Sequence, residues 1–125
     1  DLLNRESNFI KILEGNHIPK LISQGDNWIE LEYCGLPISK ENIPNNWNEQ
    51  LIEISERLNK HKVIHRDIKE GNLLVKDSSI YLIDFGWAIF EYEKNFLSPR
   101  ELSGISRKLI YDNYFAMQKL IDQLI

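Results

Sequence analysis

A single cysteine, Cys34, rules out an internal disulfide, and one unpaired thiol fits a reducing cytoplasm. No apolar run approaches the ~18 residues that a membrane-spanning helix needs, and no secretory leader is visible. Positive charge is in deficit: 15 Lys and Arg face 19 Asp and Glu, a net charge of −4. That balance argues against nucleic acid as the main partner, because phosphate backbones need a basic face. Internal repeats and low-complexity stretches are also missing. At 125 residues there is room for one small domain. With 42% apolar and 27% charged residues, the chain reads as soluble and globular, not disordered.

Periodicity divides the chain into short elements. Leu2, Leu3, Phe9, Ile10, Ile12 and Leu13 give a loose helical pattern over residues 1–14, with Gly15-Asn16 as its stop. Ile18 to Ile22 reads as a short strand whose Pro19 marks an edge or a bulge. Gln24 to Asn27 is a turn, Trp28 to Tyr33 a second strand, and Gly35-Leu36-Pro37 a break. Residues Ser39 to Asn45 read as a polar connector. Trp47, Leu51, Ile54 and Leu58 then recur at helical spacing, with Asn46 placed to cap and Glu49 three residues on. A last helix is expected from near Asp112, with Met117, Leu120, Ile121 and Leu124 on one face. Between Gly86 and Asp112 the pattern is weak: Trp87 to Phe96 has no clear period, while Ser98 to Glu101 and Ser103-Gly104 read as loop.

The chemistry is concentrated between residues 65 and 86. His65-Arg66-Asp67-Ile68-Lys69-Glu70-Gly71-Asn72 is followed by two apolar runs, Leu73 to Val75 and Ile80 to Ile83, and then by Asp84-Phe85-Gly86. Lys76-Asp77-Ser78-Ser79 separates the runs and predicts an antiparallel hairpin turning near Ser78. Such a hairpin brings Asn72 roughly opposite Asp84 at its open end, with Asp67 just before that end. Two carboxylates and an amide are hard oxygen groups of the kind Mg²⁺ uses.

These two motifs, in this order and with a strand–turn–strand between them, resemble the protein-kinase-like superfamily. The family pattern H-R-D-L-x-x-x-N followed by D-F-G is met with Ile68 in place of Leu. The resemblance implies an α+β fold: the end of a small lobe over 1–33, a hinge over 34–38, and a reduced large lobe over 39–125. It implies Mg²⁺-dependent transfer of the ATP γ-phosphate to a hydroxyl, most naturally of a protein serine or threonine. Asp67 would be the base, Lys69 would touch the γ-phosphate, and Asn72 and Asp84 would hold the metal. Backbone groups of Glu32 and Cys34 would hold the adenine, and Leu74 would complete the nucleotide contacts. Glu6, twelve residues before Ile18, resembles the helix glutamate that pairs with the ATP-binding lysine. Ile10, Leu21, His65 and Phe85 would stack as a spine between the lobes, His65 packing and hydrogen-bonding without acting as a base. Arg66 resembles the arginine that receives an activation-loop phosphate, for which Ser98, Ser103 and Ser106 are available.

Each role has a plainer counterpart. Asp67 could cap loop amides, Lys69 could be a solvated charge, and Asn72 and Asp84 could be turn residues. Gly86 would supply backbone freedom in either case, and His17 and His61 read as surface residues. The sequence also departs from the family pattern. No G-x-G-x-x-G loop or V-A-I-K strand precedes Glu6, no A-P-E follows Asp84, and the chain opens on Asp1, so a fragment, a processed product and a minimal form of the domain are all open readings. Two other readings therefore stand beside a serine/threonine protein kinase. One is a small microbial or phage kinase acting on a sugar or lipid-linked glycan. The other is a pseudokinase or fragment that only binds.

Overall fold

The stripe read from Trp47 to Leu58 buries one face of the central helix. In the computed structural model, which describes residues 2–93 and 110–125, that helix runs Trp47–Lys60. Leu51, Ile54 and Leu58 are fully buried and Trp47 packs at the edge of the same core. Each such aliphatic side chain stabilises the fold by about 2 kcal/mol. Asn46 does not cap the helix through its side chain. Its Oδ1 instead accepts a hydrogen bond from Gln50 Nε2 at 2.8 Å. The buried Gln50 also donates to the Ser78 carbonyl and accepts from the Ile80 N–H, so this polar pair anchors the following hairpin.

The elements follow in the order α1 (Leu2–Ile12), β1 (Leu21–Gln24), β2 (Ile29–Leu31), β3 (Leu36–Pro37), α2 (Trp47–Lys60), β4 (Val63–Ile64), β5 (Leu73–Lys76), β6 (Ser79–Leu82), β7 (Ile89–Phe90) and α3 (Asn113–Leu124). Among the described residues the strands form three small antiparallel sheets, β1–β2, β3–β5–β6 and β4–β7. α2 lies against α3, β4 and β6, and α1 against β1. One core joins them, from Phe9 and Ile10 of α1 and Leu13 just after it, through Leu73, Ile80 and Leu82 of the hairpin, to Met117 and Ile121 of α3. α3 starts as expected: Asp112 Oδ1 caps it by accepting from the Phe115 N–H at 2.9 Å.

Three local expectations are corrected. The first strand begins at Leu21 and not Ile18; Ile18 and Pro19 are buried in the connector, where Pro19 has no N–H to give a ladder. A register shift between Leu21 and Ser23 follows directly. Leu36-Pro37 is a strand and not a break, pairing with Val75 and Leu74 of β5. Val63-Ile64 pairs with Ile89-Phe90, a bridge that the patternless run after Gly86 did not announce. The loops read over Ser98 to Glu101 and Ser103-Gly104, and Ser106 with them, lie outside the described residues.

Gly35 makes the β3–β5 pairing feasible. Its φ is +98°, and a Cβ there would sit 2.0 Å from the Val75 carbonyl oxygen. Gly35→Ala is therefore expected to cost about 2 kcal/mol or more. A urea midpoint equal to that of the parent chain would show that the β3–β5 contact is dispensable.

Candidate active site

The hairpin sets the geometry. β5 and β6 pair from Leu73↔Leu82 to Lys76↔Ser79, closed by Asp77 and Ser78, both at positive φ. This is a two-residue turn whose twist matches the strands. Continued one step, the register puts Asn72 opposite Ile83, whose N–H donates to the Asn72 carbonyl at 3.0 Å. Asp84 lies one residue further on, so it is offset from Asn72 rather than level with it. The chain turns sharply there: Asp84 has φ +62°, as Arg66 has φ +72° on the neighbouring loop. Gly86, expected to carry that freedom, has no positive φ; Asp tolerates the left-handed region and takes the turn itself. Asp84 is exposed, and its Oδ1 accepts from the Gly86 N–H at 3.2 Å.

His65 joins the two loops. Its Nε2 lies 2.8 Å from the Ile83 carbonyl and its Nδ1 accepts the Asp67 N–H at 3.0 Å. Those partners assign the proton to Nε2 and the neutral form to the ring. Burial lowers the His65 pKa, with the Ile83 carbonyl and the Asp67 and Asp84 charges opposing. With both nitrogens committed, the ring packs edge-on against Phe85, centroids 4.9 Å apart, and has no free site for proton transfer. Ile10 and Phe85 are buried around the same core and Leu21 packs at its margin.

Asp67 is buried and its loop is closed by Asn72. Asn72 Nδ2 donates to the Asp67 carbonyl at 2.7 Å and lies 3.4 Å from Asp67 Oδ2. The structure thus brings Asp67 and Asn72 side by side. Lys69 is exposed on the intervening loop, and its carbonyl accepts the Asn72 N–H at 2.9 Å. Leu74 is half-buried on β5, between Pro37 and Tyr81 in the ladder. In the connector after β2, the Glu32 N–H is spent on the Lys20 carbonyl, while the Glu32 carbonyl faces the Cys34 thiol at 3.5 Å. Burial and the Glu32 charge push that thiol up to about 11, with Lys76 opposing, so it stays protonated.

Glu6 reaches the site from α1, where its Oε2 accepts the Phe85 N–H at 2.9 Å. Burial, then the Asp84 charge, raise its pKa, with the Phe85 N–H opposing. Arg66 is buried and gives Nε to the Trp87 carbonyl at 2.8 Å, tying its loop to the segment after Gly86. Asn113 escapes sequence reasoning altogether. Buried at the start of α3, its Oδ1 accepts the His65 N–H at 3.0 Å and its Nδ2 donates to the Val63 carbonyl at 2.8 Å. No motif surrounds it. The available signal was an amide beside the capping Asp112, on the helix face that turns inward.

This arrangement of a helix beside a two-stranded sheet, a connector and a loop–hairpin–loop core is a partial protein-kinase-like α+β fold. The RIO domain model matches residues 2–99, and the chain belongs to that family of the protein-kinase-like superfamily. It is 33% identical over 104 residues to the serine/threonine-protein kinase kin-29 of Caenorhabditis elegans, covering 71% of this chain and 13% of that protein. It is 36% identical over 103 residues to the serine/threonine-protein kinase stk11 homolog of Dictyostelium discoideum, covering 67% and 18%. A third relative is the SNF1-like protein kinase ssp2 of Schizosaccharomyces pombe, 29% identical over 109 residues, covering 76% and 19%. The chain thus spans a fifth or less of the length of these curated relatives. Asn113 lies beyond the RIO match.

Two outcomes follow. The raised Glu6 pKa means that the folded state keeps this proton to higher pH than the unfolded chain. Glu6 therefore costs stability as pH rises through and above the ordinary carboxylate range. Glu6→Gln keeps an acceptor for the Phe85 N–H, so its melting temperature should gain on the parent's between about pH 4 and pH 7. Parallel melting curves over that range would contradict this. Asn113→Ala leaves the His65 N–H and the Val63 carbonyl without their partners and should cost about 2–4 kcal/mol in urea unfolding.

Proposed function

We propose that this chain carries the base-and-metal core of a Mg-ATP-dependent phosphotransferase that moves the γ-phosphate to a hydroxyl, with a protein serine or threonine as the favoured acceptor. The observation that carries the reading is the Asn72 amide. Both of its side-chain contacts run through Nδ2 to Asp67, so Oδ1 is the atom left to face a cation. Asp84, exposed at the neighbouring turn, offers a second oxygen. Among the described residues no cluster of three or more His, Cys, Asp and Glu could hold a metal. The proposed site is one carboxylate and one amide, with water and phosphate oxygens completing an octahedron. Mg²⁺ would supply neutralisation of phosphate charge.

Asp67, fixed by the His65 ring and by Asn72, accepts the proton of the incoming hydroxyl as its oxygen bonds to phosphorus and the bond to the leaving ADP oxygen breaks. Lys69, exposed beside it, steadies the transferred group. Glu32 and Cys34 backbone groups and the Leu74 side chain would receive the adenine. The division into small-lobe end, hinge and reduced large lobe, at 1–33, 34–38 and 39–125, goes with this reading. A cytoplasmic setting goes with it as well, since Cys34 is free. Most of the catalysis is positioning, so the rest of the nucleotide's enclosure matters as much as these side chains.

Mg-ATP should raise the melting temperature of the chain, and Asp84→Asn should remove the magnesium-dependent part of that rise. Asp67→Asn should keep the rise yet lower phosphoryl transfer by about 10²–10⁴-fold in the full-length protein. Transfer that survives both substitutions would overturn the assignment; nucleotide binding without any transfer by the parent would leave a binding module.

A further inference from the structure

His17 was expected at the surface, yet its side chain is 10% exposed and both ring nitrogens are engaged. Nδ1 lies 2.8 Å from the carbonyl oxygen of Ile80 in β6, and Nε2 lies 2.8 Å from Glu53 Oε2 on α2. A backbone carbonyl only accepts, and an ionised carboxylate only accepts. A neutral imidazole has one N–H and would turn a lone pair onto one of these oxygens. We propose that His17 is a proton-operated latch, closed as the imidazolium, that fastens the α1–β1 connector to α2 and β6.

The surroundings fit a latch between separate elements. His17 has φ +72°, and its own carbonyl accepts the Leu82 N–H at 2.9 Å, so backbone and side chain both grip β6. The Ile80 N–H is already spent on Gln50, so the Ile80 carbonyl is fixed in place for the ring. Glu53, Glu56, Arg57 and Lys60 of α2, and His61 just past its end, line one cleft beside the ring. On the other side a cleft of about 580 Å³ brings Glu14 and Lys20 of the connector, Glu32 from beyond β2 and Tyr81 of β6.

Arg57 holds the same connector without any titration. Its Nη1 donates to the Glu14 carbonyl at 3.0 Å, and its guanidinium fills the space where a Gly15 side chain would be. Losing the ring's proton therefore loosens the connector and does not release it. Because that connector ends α1, the latch bears on the helix that carries Glu6. Histidine is the side chain whose charge changes in the range of cellular pH, so the latch closes on the acidic side and opens as pH rises.

Hydrogen exchange of the Leu82 amide in the full chain, read beside ¹⁵N signals that count the protons on the His17 ring, tests this directly. Leu82 protection should fall roughly tenfold over the interval in which the ring loses its second proton, as expected for loss of one charge-assisted hydrogen bond. His17→Gln should abolish the step. Glu53→Gln, on a side chain 61% exposed and outside the core, should move the step to lower pH. Protection that stays flat while the ring deprotonates, or a step that Glu53→Gln leaves in place, would overturn the proposal.

Discussion

The geometry of the candidate site is referred to one neutral imidazole. His65 takes the Asp67 N–H on one nitrogen and gives a proton to the Ile83 carbonyl with the other, so its width fixes how far apart the two loops stand. Burial keeps the ring uncharged, and charge would remove the acceptor that the Asp67 N–H needs. Phe85 packs edge-on against the same ring, and Glu6 accepts the Phe85 N–H. One contiguous set of contacts thus runs from α1 through both motifs, and Asn113 extends it into α3.

Around that uncharged ring, carboxylates accumulate. Glu6 feels the Asp84 charge, and His65 feels Asp67 and Asp84. Local packing gains nothing from this crowding, since like charges and burial both penalise ionisation. The strained backbone at Arg66 and Asp84 belongs to the same account, because left-handed non-glycine residues persist only where surrounding contacts hold them. At Arg66 the Trp87 carbonyl is such a contact, and at Asp84 the Gly86 N–H is.

Much of this was legible in the sequence. The stripe through Leu51, Ile54 and Leu58, the hairpin about Asp77-Ser78, the helix after Asp112 and the neighbourhood of Asp67 and Asn72 all follow from periodicity, turn chemistry and motif. What escaped was set by tertiary contact. Leu36-Pro37 is two residues long and becomes a strand only because β5 lies beside it. Asn46 gave up its capping bond to Gln50, which serves a turn 28 residues away. The positive φ fell on Asp84, although glycine stands two positions on. His17 was read as a surface residue because nothing local shows that α2 and β6 converge on it. Asn113 carries no local signature, because its partners are backbone groups 48 and 50 residues upstream.

That last contact has a consequence for biogenesis. The loop bearing Asp67 leaves the ribosome well before the helix that supplies its anchor. Until α3 emerges, the His65 amide lacks its Asn113 partner. Synthesis from the N-terminus therefore delivers both motifs before the helix that braces them, so a nascent chain halted before Asn113 would hold every motif residue without the contact that anchors the His65 amide.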